Sequence, residues 1–199
     1  MPMNRLKKLK DKIDCLYKLR NKDRADWADW LHKNHVFLVA DLAKKLAKRY
    51  EASQEVAAAA AMLHDIADAV MKRENPEHEK ESGIIAKKLL KESDFTEKEI
   101  KIIVEDAMRT HSCYDNERPK SLEGKIMATA DGMVHLQSDF YTHAVKAMKK
   151  NKSLEEISAW AVPKIDRDFN NKIMFAELQK KAETDYKKLR FKFLNLKTR

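Results

Sequence analysis

His64 and Asp65 stand side by side at the end of the apolar run Val56 to Leu63, with His35, His78, His111 and Asp131 spaced around them along the chain. Imidazole and carboxylate directly after eight apolar residues (VAAAAAML) are costly in a core. A buried polar group there needs a partner, and a buried charge needs pairing or a cation. A divalent metal would be such a partner. Imidazole nitrogens with carboxylate oxygens and no thiolate suit Mn, Fe, Ni, Co or Mg better than a closed structural zinc. A bound divalent ion lowers the pKa of its water toward neutrality and polarises a phosphoryl oxygen. Hydrolysis of a phosphoester or phosphoanhydride is therefore the reaction such a set most directly supports.

The elements that must position these residues read as helices. Three glycines and four prolines punctuate 199 residues, while Ala, Leu, Lys, Glu and Met abound, so the chain is predicted to be all-α. Leu6, Leu9, Ile13 and Leu16 mark a helix from about Asn4 to Arg20. Asp23 is a candidate cap for the next, Arg24 to Tyr50, which carries His35 and buries residues of the Trp27, Trp30 or Leu31, Val36, Val39, Leu46 series. Ser53 or Gln54 begins the Ala-rich helix that ends at His64 and Asp65. A fourth helix, about Glu77 to Lys91, has His78 in its first turn and Ile84, Ile85, Leu89 and Leu90 as its apolar face. Thr96 and Glu99 read as a capping box opening a fifth, which leads to His111. A polar loop follows, and Ser121 starts a helix containing Asp131. Ser153 and Glu156 repeat the capping-box grammar, Pro163 interrupts or restarts the helix, and Phe175, Leu178, Ala182, Tyr186, Leu189 and Phe193 form a last stripe. The candidate ligands thus fall on at least five helices, and a helical bundle can hold metal in this way, each helix contributing one or two inward ligands.

The bulk numbers bound the rest. The length suits one domain over 1–199, with 1–22 and 150–199 as helical appendages on a 23–140 core. Cys15 and Cys113 form neither a zinc spacing nor a disulfide framework, which fits a reducing cytoplasm. No signal-like or membrane-spanning apolar run is seen. The net charge of +9 divides as +5 in residues 1–20 and +6 in 187–199, leaving about −2 for everything between. Nucleic-acid binding through these basic ends is the less favoured use of that charge, against a solvated helix face. The apolar stripes at both ends could serve a homodimer. His32, His143 and His135 read as ordinary or structural histidines, and Cys113 as passive.

The chain resembles the HD-domain superfamily of metal-dependent phosphohydrolases. The family's ordered pattern of His, His-Asp and Asp matches His35, His64-Asp65 and Asp131. The surrounding text agrees: HVFLVADLAKKLA, AAAMLHDIAD, HEKESGIIAKKLL and SLEGKIMATADGM. The resemblance covers roughly residues 30 to 140. It implies an HD-domain helical bundle with extra N- and C-terminal helices, in which His35, His64, Asp65 and Asp131 bind one divalent metal. Some branches place a second metal on two intervening histidines, and others use histidines there on substrate phosphate; His78 and His111 stand at those places. Asp68, three residues after Asp65, matches branches with an acidic residue there and would orient or deprotonate the attacking water. Arg109, Arg118, Lys120 and Lys125 are candidates for phosphate contact, Arg109 the best placed. Leu38 stands where many members have an arginine. The expected activity is hydrolysis of a small phosphorylated substrate, a nucleotide or related compound. The alternative is a non-catalytic module binding nucleotide or RNA; an oxygenase branch using two irons is a third reading.

Overall fold

The computed structural model describes residues 4–196, and these contain helices and no strand. Two units divide the chain, Met1–Met127 and Ala128–Arg199. The three basic-end residues 197–199 and residues 1–3 lie outside the described segment. No helix among the described residues is long and apolar enough to cross a membrane.

The first unit comprises α1 (Arg5–Lys18), the short α2 (Ala28–Leu31), α3 (Phe37–Arg49), α4 (Gln54–Leu63), α5 (His78–Lys91) and α6 (Glu97–Lys101), and it ends in the first turns of α7 (Leu122–Gln137). Alanines decide its centre. From Val56 to Ala61, and again at Leu63, α4 is buried on every side, as a helix with no polar face must be. Its short side chains let α3 lie along it, with α1 and the continuation of α6 packed on it as well. α1 sinks Leu6, Leu9, Ile13 and Tyr17 into this unit, so the N-terminal helix is part of its core packing.

Starts of helices follow the sequence closely, because each rests on a local hydrogen bond. Asn4 and Ser53 accept from the backbone N–H of Leu6 and Val56. Thr96 with Glu99, and Ser153 with Glu156, form reciprocal capping boxes.

The departures concern the stretches between the caps. The segment predicted as one helix from Arg24 to Tyr50 is α2, a π-helical turn at His32–Val36, and α3. Asp23 does not cap it; Trp27 precedes the helix, and the Ala25 N–H donates instead to the Asp68 carbonyl at 3.0 Å. Ile84, assigned to the apolar face of α5, is exposed, while Ser82, Ala86 and Leu90 are buried. Two further π-helical turns follow α6 (Ile102–Met108) and α9 (Asp168–Lys172). Each such turn inserts an extra residue and rotates the chain beyond it about the helix axis, a device common at functional sites.

The second unit begins within α7 and continues with α8 (Phe140–Met148), α9 (Leu154–Arg167) and α10 (Ala176–Leu194). Pro163 lies inside α9 without ending it. A proline removes one backbone donor, and the helix persists because its capping box and the buried Ile157, Ala161 and Ile165 hold both sides of the break. Gly132 lets α7 approach the 168–172 turn, since a Cβ there would meet the Asp168 carbonyl at 2.7 Å.

That turn places Asp168, which has no exposed surface, among cations and donors. Lys164 Nζ lies at 3.0 Å, the Tyr141 hydroxyl donates at 2.6 Å, and His135 Nδ1 lies at 3.1 Å. Burial alone would raise the Asp168 carboxyl, but Lys164, His135 and Lys172 hold it well below the usual carboxylate range. Burial lowers His135 to about 3, so its ring is neutral near pH 7. A folded-state value below the unfolded one gives stability that is present above the unfolded pKa of about 4 and is lost as pH falls through the folded value. Asp168→Leu, which takes the carboxylate partner from Lys164 and the acceptor from the Tyr141 hydroxyl, is expected to cost about 3–5 kcal/mol. In urea unfolding the difference from wild type should be flat from neutral pH to about pH 5 and narrow on further acidification.

Candidate metal centre

In the first unit, the end of α4 and the turn after it bring the sequence candidates together. His64 caps the C-terminus of α4, Asp65 opens a 3₁₀ turn at Ile66–Ala69, and Asp68 lies within that turn, 1% exposed. The turn is fixed from outside: the Ala67 N–H donates to Ser82 Oγ at 3.1 Å. His35, carried by the π-helical turn before α3, sets its ring edge-on to His64 with centroids 5.5 Å apart. His111, just beyond the continuation of α6, meets His64 from another side at 5.2 Å.

The rings of His64 and His111 are oriented in the same way. His64 Nδ1 lies 2.7 Å from the Ala61 carbonyl and His111 Nδ1 2.5 Å from the Met108 carbonyl. A carbonyl only accepts, so Nδ1 carries the proton in each neutral ring and Nε2 carries the lone pair. The two Nε2 atoms face Asp65, at 3.6 Å from its Oδ2 for His64 and 3.9 Å from its Oδ1 for His111. One donor atom from each of His64, Asp65 and His111 lies within 4.8 Å of the others. Nδ1 tied to backbone and Nε2 presented is the arrangement that prepares histidine for a metal. The donor set therefore fits a divalent ion.

The acids of the turn are held by a residue that the sequence did not single out. Arg73 donates through Nη2 to Asp65 Oδ2 at 2.9 Å, through Nε to Asp68 Oδ1 at 3.1 Å, and through Nη2 to Asp68 Oδ2. Its guanidinium lies 5.8 Å from the centre of the Trp27 ring. Burial opposes ionisation of both partners, but the mutual attraction wins: Asp65 is held well below the usual carboxylate range by Arg73, with His64, His111 and His78 adding to it, and Arg73 is raised. In sequence Arg73 is half of a Lys-Arg pair in a polar loop, indistinguishable from solvated charge. The available signal was the pair of carboxylates three residues apart, which requires a nearby cation.

His78, the first residue of α5, places Nε2 2.9 Å from Asp68 Oδ1. It is thus joined to Asp68, whereas His111 joins Asp65. Asp131 lies in the second unit on α7, 1% exposed, where Lys172 forms an ion pair with its Oδ2 and His135 Nε2 lies 3.3 Å from its Oδ1. Arg109 is exposed, paired with Glu117 at 3.1 Å. Together with His64 it lines a cavity of about 420 Å³ beside α5, which Lys80, Lys87, Val104 and Met108 also border. Arg118 and Lys120 line a separate groove, and Lys125 is exposed on α7, outside both. Leu38 is about half exposed.

Comparison with protein families matches the HD domain over residues 33–134, half of the chain. The chain belongs to the HD-domain family. HD domains form a superfamily of metal-dependent phosphohydrolases acting on small phosphorylated substrates, and the all-α architecture expected from the sequence is the one observed. No curated protein and no solved structure matches the chain.

Within this HD domain the Arg73 bridge makes a direct prediction. Arg73→Met leaves two carboxylates in one turn without their shared cation, at an expected cost of roughly 2–3 kcal/mol to the metal-free protein at neutral pH. Because Asp65 is depressed in the wild type, the stabilisation belongs to the ionised carboxylate and fades with acid. The variant's deficit in urea unfolding should therefore be largest near pH 7 and shrink as pH falls.

Proposed function

We propose that this HD domain is a divalent-metal-dependent phosphohydrolase cleaving a phosphoester or phosphoanhydride of a nucleotide or related small compound. The observation that carries the reading is the pair of imidazoles, His64 and His111, each fixed through Nδ1 to a carbonyl three residues back with Nε2 turned to the same carboxylate. Such a pair has little reason to converge on Asp65 unless a cation belongs between them.

The ligands of the first ion are His35, His64, Asp65 and Asp131, as the family pattern assigns them. His111 either joins a second ion or holds substrate phosphate. A bound divalent ion supplies a water of lowered pKa and polarises a phosphoryl oxygen. The rest is done by this chain's own side chains. Arg73 keeps Asp65 ionised and fixes its orientation, as partners of metal-bound carboxylates do. Asp68, with both oxygens engaged by Arg73, works through His78, whose ring it orients to take the proton of the attacking water. The cavity at His64 has the volume for a small phosphorylated molecule; Lys80, Lys87 and Arg109 on its wall pair with Glu77, Glu105 and Glu117, and a phosphate there would compete with those acids for them.

Metal analysis of the purified chain, followed by a phosphate-release screen with Mn, Fe, Ni, Co and Mg, tests this. Bound metal and release of phosphate from at least one compound are expected, and Asp65→Ala should lose both while remaining folded. His78→Gln should retain metal but slow turnover about 100-fold. A wild-type chain that takes up none of these ions and hydrolyses nothing, yet binds nucleotide, would favour the non-catalytic module instead.

A further inference from the structure

A second concavity in the first unit, about 750 Å³, lies on α6 and its π-helical continuation, opposite the 117–121 loop. Five cations line it: Lys98, Lys101 and Arg109 from the helix, Arg118 and Lys120 from the loop. Three acids line it as well, Glu105, Asp106 and Glu117, and all three are committed. Glu105 pairs with Lys87 at 3.3 Å and Glu117 with Arg109 at 3.1 Å. Asp106 accepts from the backbone N–H groups of Lys120 and Ser121, both at 2.8 Å, and from Ser121 Oγ at 2.5 Å. These bonds hold its carboxyl below the usual range against the opposing effect of burial, and its charge goes into shaping the loop.

The cations are not matched in this way. Lys98, Lys101, Arg118 and Lys120 form no ion pair among the described residues, whereas Lys8, Lys10, Lys12, Lys80, Lys87 and Lys91 all do. Four uncommitted positive charges therefore face one groove. Lys98 and Lys101 stand one turn apart on the helix, about 4.5 Å along its axis, and Arg118 and Lys120 line the groove from the loop. Nothing in the packing requires this convergence, since all four are exposed. Arg109 and Glu105 also line the cavity at His64, so the two spaces share a wall.

We propose that this groove binds a run of linked phosphate groups, either the phosphate tail of a nucleotide or the backbone of a short nucleic-acid strand. A single phosphate would need one or two of these cations; a chain of phosphates can engage all four. The site stands apart from the metal centre and binds without metal.

Titration calorimetry on the full chain in EDTA at low salt tests it, with inorganic tripolyphosphate, a nucleoside triphosphate and a five-nucleotide DNA strand as probes. Wild type is expected to bind at least one. Lys98→Gln/Lys101→Gln/Lys120→Gln should weaken that binding at least about tenfold, with a thermal midpoint and metal content equal to wild type. For the strand, the slope of log affinity against log salt should fall by about 2. Equal binding of the two triphosphates above the strand identifies a nucleotide tail; preference for the strand identifies a backbone. A control variant neutralising Lys149, Lys150 and Lys152 should bind as wild type. If the triple variant melts early, Lys101→Gln alone should still lower affinity about threefold. Absence of binding by every probe, or an equal loss in the control variant, overturns the proposal. Either result leaves metal uptake and phosphate release standing.

Discussion

Two carboxylates in one turn, Asp65 and Asp68, repel each other and resist burial, and the local structure depends on how that conflict is resolved. One guanidinium does it. Arg73 reaches both acids, and because it is planar and always charged it can hold them together while fixing their directions. With Asp65 pinned on that side, its other approaches are left to His64 and His111. With Asp68 pinned, His78 has an acceptor at fixed distance. A lysine in the same place would neutralise the charge but not hold two carboxylates in a set geometry. The turn itself is short enough to present both acids only because Ser82 and Ala25 take its backbone groups.

The helices around this turn depart from regular α geometry where they carry its partners. His35 lies within one π-helical turn, and His111 follows another. A strictly α-helical segment advances side chains by about 100° per residue, so the extra residue changes which face a distant ligand occupies. The two widened turns of the first unit give up regular α-helical hydrogen bonding, and tertiary packing against the alanine helix α4 offsets that loss. In the second unit Asp131 follows the same rule as Asp65 with different means: its charge is met by Lys172, supplied by the third π-helical turn. Buried acids in both units thus come with dedicated cations.

The all-α class, the starts of α1, α4, α6 and α9, and the presence of an HD-type core were legible in the sequence because each depends on local pattern. Capping residues act within three positions, and a run of alanines has only one stable environment. The sequence marked His64, Asp65 and His111 as metal-site candidates but grouped His111 with His78, and the fold sets His111 beside Asp65 instead. The features that stayed hidden depend on contacts distant in sequence. Arg73 looked like any loop cation. Arg118 and Lys120 read as candidates for phosphate contact at the metal site, yet they line the groove with Lys98 and Lys101, with Cys113 and Asp115 taking left-handed backbone conformations in the segment that leads to them. The broken helix between Arg24 and Tyr50 has an unbroken apolar period, so periodicity alone could not show the widened turn at His35.

Charge shows most clearly why position along the chain is a poor guide to position in space. The sequence places the positive excess at the two ends, with +5 in the first 20 residues. In the fold those N-terminal cations are largely spent: Arg5 holds Glu55 and Glu99, Lys8 holds Asp94, Lys12 holds Glu92, and Lys7 and Lys10 pair within α1. They fasten α1 to the first unit instead of presenting a polyanion surface, each exposed pair contributing no more than about 1 kcal/mol. Residues 97–121, by contrast, hold more acids than bases. Five of their six acids, all but Asp115, are drawn off to Lys91, Arg5, Lys87, Arg109 and the 120–121 backbone, and Lys98, Lys101, Arg118 and Lys120 stay unpaired at the groove. A segment that is negative when counted along the chain therefore lines a positive groove, whereas the N-terminal segment, +5 by count, is largely neutralised by the packing it creates.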